Sequence, residues 1–338
     1  MTSTGKAMIA RAAFAMTVAA GFLAPAAVGP AGAAEWIMAS GYPEENFLTK
    51  NVRLFIDDVA QKSDGALTID LQPNDSLIKI DSIKRAVQSG QIPIGEIRLG
   101  IYGNEDPMYV LGGLPFIAPT YDDAWDLKDA QKPYFDKIFD EAGMKVLFYQ
   151  PWPGQGFYTS FPVESLDDFK GVKLRIYSTA TQKMGELLGF QATVLPFAEI
   201  PQAFSTGLID ALFTSPQTGI DIQAWDYTKH FTDTGAIYSK NAVIVSKAAW
   251  DELDEKTQGV ILEAAKEAEA RAWTMSKEVN DDQQKMLADN GMTVGIAPEP
   301  VIARMKEIGK VMLADWEATA SPEALAALKP YFEKRGME

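Results

Sequence analysis

The chain offers few groups able to make or break covalent bonds. It has no cysteine and a single histidine, His230. That removes thiolate nucleophiles, iron–sulfur clusters, thiolate zinc sites and any multi-histidine metal centre. His230 follows Tyr227-Thr228-Lys229 with no partner constellation in view, and reads as a surface or capping histidine rather than a general base. Adjacent carboxylates occur at Asp57-Asp58, Asp122-Asp123, Asp167-Asp168 and Asp281-Asp282. They fall in or beside predicted helices, where neighbouring residues diverge, so solvated faces explain them better than acid–base dyads. Gly154-Gln155-Gly156 contains a G-x-G, but proline flanks it and no helix follows closely, unlike a dinucleotide fingerprint. No G-x-S-x-G elbow, P-loop, H-E-x-x-H or EF-hand loop is present. Neither a catalytic centre nor a cofactor or metal is expected.

Recognition chemistry is better represented. Arg175 stands near the end of an otherwise apolar run, Val172 to Tyr177. A buried guanidinium needs a partner, and its planar fork fits a carboxylate in bidentate fashion. That carboxylate belongs either to a ligand or to an Asp or Glu within the sheet, and spacing alone does not choose. Arg98, in Gly95-Glu96-Ile97-Arg98-Leu99-Gly100, is a second cation, facing a ligand or solvated at a strand end. Tyr42, Trp152, Phe157, Tyr158, Tyr177 and Phe213 lie in candidate pocket loops, each a pocket wall or a core residue. The net charge of −15 argues against a nucleic-acid partner, which needs clustered Lys and Arg.

These residues need elements to position them, and the elements begin after an atypical leader. Residues 1–34 carry Lys6 and Arg11, an apolar run from Ala12 to Ala27, and small-residue cleavage sites around Ala31–Ala34. This is a secretory signal-peptide pattern; the apolar run is too short and proline-broken for a membrane anchor. Its removal takes the net charge from −15 to −17. Export without a lipid-attachment cysteine predicts a free periplasmic protein. The remaining length suits two domains.

Beyond the leader, strand and helix patterns alternate. Glu35–Ala39 reads as a strand, Asn46–Ser63 as a helix, Ala66–Leu71 as a strand, Ser82–Gly90 as a helix and Ile92–Leu99 as a further apolar stretch. The dense Pro/Gly segment Gln150–Gly156 marks a domain crossing, and the alternation restarts with Val172–Tyr177. Ala242–Val245 reads as a strand able to return to the first sheet. Glu255–Asp289 is one long Ala/Glu-rich helix pattern without interior proline, long enough to span both domains. The expected fold class is α/β, a two-lobed periplasmic-binding-protein clamshell with a long helix spanning both lobes. Lobe I is placed at 35–150 plus about 238–285, and lobe II at 151–237 plus about 286–338.

One ordered set of segments resembles a known family. Ser165-Leu166-Asp167-Asp168-Phe169-Lys170-Gly171-Val172-Lys173-Leu174-Arg175 resembles the "s-x-x-D-l-K-G-l-K-i-R" lead into a strand in DctP-type solute-binding proteins of TRAP (tripartite ATP-independent periplasmic) transporters. Gly185–Gly189, Leu195–Ile200, Thr206–Ala211 and Ala249–Leu253 resemble later segments of that family, in order. The resemblance implies that Arg175 pairs with a ligand carboxylate. It departs from the pattern twice: Gln155-Gly156-Phe157-Tyr158 stands where many members carry a second arginine, and Thr214-Ser215 where many have an asparagine.

The resemblance thus implies a non-enzymatic binding protein, acting as a monomer, that captures a small organic acid and delivers it to TRAP membrane subunits. Arg175 anchors the carboxylate; Trp152 and Phe157 cover the ligand body; Gln155 and Ser215 donate hydrogen bonds; Tyr177, Arg98 and Tyr42 complete the candidate site. The aromatic substitutions favour a monocarboxylate on a flat or apolar body, with benzoate-like acids first, short hydroxy or keto acids next and sugar acids behind. Two other readings stand beside this one: a periplasmic hydrolase or lyase working through carboxylates alone, and a sensing module for a membrane receptor.

Overall fold

A computed structural model describes residues 34–337; of the segment read as a signal peptide, residues 1–33 lie outside the described residues, and Ala34 opens the first strand. The first half builds β1 (Ala34–Ala39), α1 (Phe47–Lys62), β2 (Leu67–Gln72), α2 (Ile80–Gln88), β3 (Ile94–Arg98), α3 (Tyr121–Glu141) and β4 (Met144–Pro151). After the crossing come β5 (Gly156–Thr159), β6 (Lys173–Ile176), α4 (Thr179–Leu188), β7 (Gln191–Val194), α5 (Ile200–Ser205), β8 (Ala211–Thr214), α6 (Pro216–Asp221) and β9 (His230–Asp233). The chain then forms β10 (Lys240–Ser246), α7 (Lys247–Asp251), α8 (Glu255–Asp289), β11 (Thr293–Ile296), α9 (Glu299–Thr319) and α10 (Pro322–Arg335).

Local chemistry explains where these elements start and stop. Asn46 caps α1 by accepting from the Leu48 amide, a contact that contributes about 1 kcal/mol. Phe47, Leu48, Val52, Phe55, Ile56 and Val59 form its buried stripe. The helix unwinds through Asp64 and Gly65, both at positive φ. In β2 the alternation of Leu67, Ile69 and Leu71 with Thr68 and Asp70 puts one face inward and one outward. β10, flanked by strands on both sides, is buried throughout.

Two sheets result. The first has the order β2-β1-β3-β10-β4, with β10 antiparallel to both neighbours; the second has the order β11-β9-β5-β8-β6-β7. β10 is the strand Ala242–Val245 read from sequence, and it returns to the first sheet after the chain has built the second. The chain passes between the sheets at residues 152–155, at 234–239 and through α8. This is a two-sheet α/β periplasmic-binding-protein fold.

α8 spans Glu255–Asp289, 35 residues and about 50 Å at 1.5 Å per residue. It lies on α1 and β4 of the first lobe, then on α6 and β11 of the second. Ile261, Ala264, Ala265 and Ala268 form its buried face against the first sheet and α1, and the small alanine side chains allow a close approach. The last two helices fold back: α10 packs along α3, Tyr331 donates to the Ile117 carbonyl at 2.7 Å, and Arg335 pairs with Asp123 and Asp126.

Candidate functional site

The carboxylate pairs acquire structural roles. Asp58 faces Arg271 on α8 at 3.3 Å, Asp123 holds Arg335, and Asp168 caps the turn at Ser165 by accepting from two backbone amides. His230 is half-buried at the start of β9, opposite Thr159 and Thr293. The G-x-G serves close packing. A Cβ on Gly156 would lie 2.4 Å from the Thr232 carbonyl oxygen, and one on Gly154 would meet the Tyr238 hydroxyl at 3.3 Å. Among the described residues there is no cluster of His, Asp and Glu able to hold a metal.

Seven of the eight candidate site residues line one cavity between the sheets: Tyr42, Arg98, Trp152, Gln155, Arg175, Tyr177 and Ser215. Phe157 is the exception. It is fully buried, and its ring packs against Phe169, Phe190 and Phe213 at 4.9, 5.4 and 4.9 Å. Strand alternation turns it away from the cleft and into the core of the second lobe. Phe213 belongs to the same cluster, and Tyr158 packs on Phe231 while donating to the Ser215 carbonyl. Phe197, Thr214, Thr218 and Ser239 complete the lining and were not singled out from sequence as site residues. Thr218 follows from the Ser-Pro-x-Thr pattern, since Ser215 caps α6 through the Thr218 amide. Ser239 sits in an irregular crossing and had no sequence signal.

Arg175 comes from the third position of β6 and is only 1% exposed. Its Nε donates to the Leu195 carbonyl at 3.0 Å, while Nη2 has no partner and no carboxylate lies within ion-pairing distance among the described residues. Burial, and after it the charge of Arg98, lower its proton affinity, yet a guanidinium stays cationic at neutral pH. Arg98, at the end of β3, brings a second cation from the first sheet. Both guanidinium carbons lie over the Tyr177 ring, at 5.3 Å for Arg98 and 6.0 Å for Arg175. The Tyr177 hydroxyl donates to Gln155 Oε1 at 2.5 Å, and Gln155 Nε2 donates to Ser239 at 2.9 Å. Burial pushes the Tyr177 hydroxyl up to about 12, so it remains a neutral donor.

The aromatic side of the cavity rests on a buried polar network. Tyr42 meets Trp152 edge-on at 4.9 Å and Phe197 at 6.1 Å. Trp152 Nε1 donates to Asn241 Oδ1 at 2.9 Å, and Asn241 Nδ2 donates to Glu96 at 2.8 Å. Glu96 also accepts from Ser40 and Gln150, and burial raises its pKa. Gln150 accepts from Asn51, which accepts in turn from Arg271 on α8. Five elements therefore hold the indole in place.

The cavity is small, about 20 Å³, room for about one water. A much wider concavity of about 750 Å³ opens beside it and shares Arg98 and Tyr177, but Asp81, Lys84, Arg85 and Glu105 make its lining charged and solvated. The smaller cavity, lined from both sheets, has the convergent, unmatched donors, and it is the better candidate for recognition.

A crevice between two α/β lobes, with charged donors aimed inward from both, defines a two-lobed solute-binding protein. Residues 38–319 match the family described as bacterial extracellular solute-binding protein, family 7. The structure is similar to DctP6 and DctP7 of Bordetella pertussis, extracytoplasmic solute receptors binding pyroglutamic acid, at 40% and 38% identity. Each comparison covers 88% of this chain and 99% of the other, with TM-scores of 0.86 and 0.87. A marine-metagenome TRAP solute-binding protein specific for pyroglutamate is 33% identical over 89% of this chain and 99% of its own, with a TM-score of 0.86. The chain belongs to the DctP family, family 7 of the extracellular solute-binding proteins, which serves TRAP transporters. The family is one of binding proteins and not of enzymes.

Proposed function

We propose that this protein is the periplasmic receptor of a TRAP transporter and captures a small cyclic monocarboxylate of the pyroglutamate type. The observation that carries the reading is Arg175: a buried guanidinium with an unpartnered Nη2, facing a cavity built by both lobes. The ligand carboxylate takes that fork. Tyr42 and Trp152, joined by Phe197, cover the ring, and Gln155, Tyr177 and Ser215 offer the flanking polar groups. The relatives that bind pyroglutamate favour a flat, non-aromatic ring over a benzoate. The lobes divide at the crossings, residues 152–155 and 234–239, with α8 serving both. Residues 1–34 direct export and are removed, and the loaded monomer delivers its ligand to the membrane subunits.

Thermal-shift and calorimetric titration with pyroglutamate, benzoate, lactate and galacturonate tests this. At 100 times Kd a ligand of the native state adds about 2.7 kcal/mol of stability, so pyroglutamate should raise the melting temperature by several degrees. A shift from benzoate alone would restore the aromatic-acid expectation and sink the lactam reading. Arg175→Ala should weaken binding by about 2–5 kcal/mol, with no rescue by Arg175→Lys, because a point charge does not reproduce the fork. Unchanged affinity in either variant rules out the anchor. Recovery of the acid unaltered after incubation distinguishes binding from hydrolysis.

A further inference from the structure

Arg98 is the least explained charge in the molecule. It is 8% exposed, and among the described residues its side chain makes no hydrogen bond and no ion pair; Nε is buried without a partner. The nearby carboxylates are accounted for or out of reach. Glu96, on the same face of β3 two residues earlier, accepts from Ser40, Gln150 and Asn241. Glu105 pairs with Lys84. Asp81 lines the outer concavity with Arg98 but lies beyond ion-pairing distance. Arg98 Nε is thus a buried donor without a partner, beside terminal nitrogens that open toward the wider concavity, and such a donor is costly unless another molecule supplies the acceptor.

The position of Arg98 says what that partner is. It faces the same cavity as Arg175 but arrives from the other sheet, with the Tyr177 ring beside both guanidinium groups. A carboxylate seated bidentately on Arg175 keeps two acceptor sites, so Arg98 meets either those or a second oxygen of the ligand, and its approach from the opposite sheet favours the second. The two cases differ in what they select: sharing the carboxylate makes Arg98 indifferent to the ring, whereas a second acceptor makes it read the ring. Resting on the proposed lactam-acid reading, we infer that Arg98 reads that second acceptor, the ring carbonyl, and so selects acids carrying a carbonyl across the ring from the carboxylate. Because the two arginines belong to different lobes, a ligand engaging both ties the lobes together.

Calorimetry on wild type, Arg98→Ala and Arg98→Met tests this with three acids. Pyroglutamate has the carboxylate and ring carbonyl, 3-oxocyclopentane-1-carboxylate keeps the carbonyl without the ring N–H, and cyclopentanecarboxylate lacks both. Wild type should bind the two carbonyl-bearing acids about tenfold or more tighter than cyclopentanecarboxylate, a discrimination appropriate to charge-assisted donors otherwise left unmatched. Both Arg98 variants should bring the three acids to within about threefold of one another. If pyroglutamate binds and the variants keep wild-type discrimination or weaken all three acids equally, the role of Arg98 is overturned while the lactam-acid reading stands. If pyroglutamate fails to bind wild type, the reading itself falls and the assignment of Arg98 with it.

Discussion

Trp152 shows how much of a recognition residue lies behind it. Its ring faces the cavity, but its orientation comes from Asn241, which bridges the indole N–H to Glu96. Replacing Asn241 by Ala leaves a buried indole donor unpaired and removes one of the donors to Glu96. Each such loss costs about 1–3 kcal/mol. Asn241→Ala should therefore lower the midpoint of chemical denaturation and blue- or red-shift the Trp152 emission, read as the difference spectrum against a Trp152→Phe control. An unchanged midpoint would mean that the network is not coupled to the fold. At this scale sequence reading selected side chains by type and by nearness to loops. Seven of those side chains line one cavity, while Phe157 packs in the core, because strand phase cannot be read from a four-residue run containing two aromatics. Ser239 was invisible for a related reason: its place is set by the Trp152 amide donating to its carbonyl across a crossing, not by its neighbours in sequence.

Elements bring these residues within reach of one another, and two junctions are exposed to test. Gly156 opens β5 directly after Gln155, where β9 comes so close that a Cβ would overlap the Thr232 carbonyl and the Phe231 ring. Gly156→Ala should destabilise the protein by about 1–3 kcal/mol through overpacking and weaken ligand binding by moving Gln155; equal stability of the variant in urea would refute the close approach. The second junction joins α1 to α6. Asn46 Nδ2 donates to Asp221 at 2.8 Å, Gln217 donates to the same carboxyl at 2.6 Å, and burial outweighs both bonds to push Asp221 up to about 7. The folded chain then holds a proton between about pH 4 and 7 that the unfolded chain has released. Its contribution to stability is therefore full below about pH 4 and declines as pH rises through 7. The urea midpoint of wild type should fall over that window relative to Asp221→Asn; parallel profiles for the two proteins would refute the shift. Helix and strand patterns were legible here because they are local: the predicted span of α8, Glu255–Asp289, is the observed one. The Asn46–Asp221 contact joins residues 175 positions apart and left no trace in either segment.

At the scale of the whole molecule the site belongs to neither lobe. Arg98, Tyr42 and Trp152 are set by the first sheet and its exit, Arg175, Tyr177 and Ser215 by the second, and the cavity they enclose holds about one water. The crossings at 152–155 and 234–239 join the two sheets, and the proposed capture of an organic acid places a hinge there. Small-angle scattering should show a smaller radius of gyration with saturating ligand than without it; identical profiles would exclude hinge closure. The amino-acid sequence by itself determined the alternation of strands and helices, the long helix, the absence of thiol and multi-histidine chemistry, and the presence of Arg175 at the end of an apolar strand. These are properties of composition and short-range periodicity, which the chain carries wherever it folds. Only the tertiary structure decided that Arg175 has no carboxylate partner among the described residues, that Arg98 shares its cavity, and that Phe157 is core. Each of these depends on which distant segments exclude water from a given side chain, and that is fixed by packing across the sheets and not by any stretch of sequence.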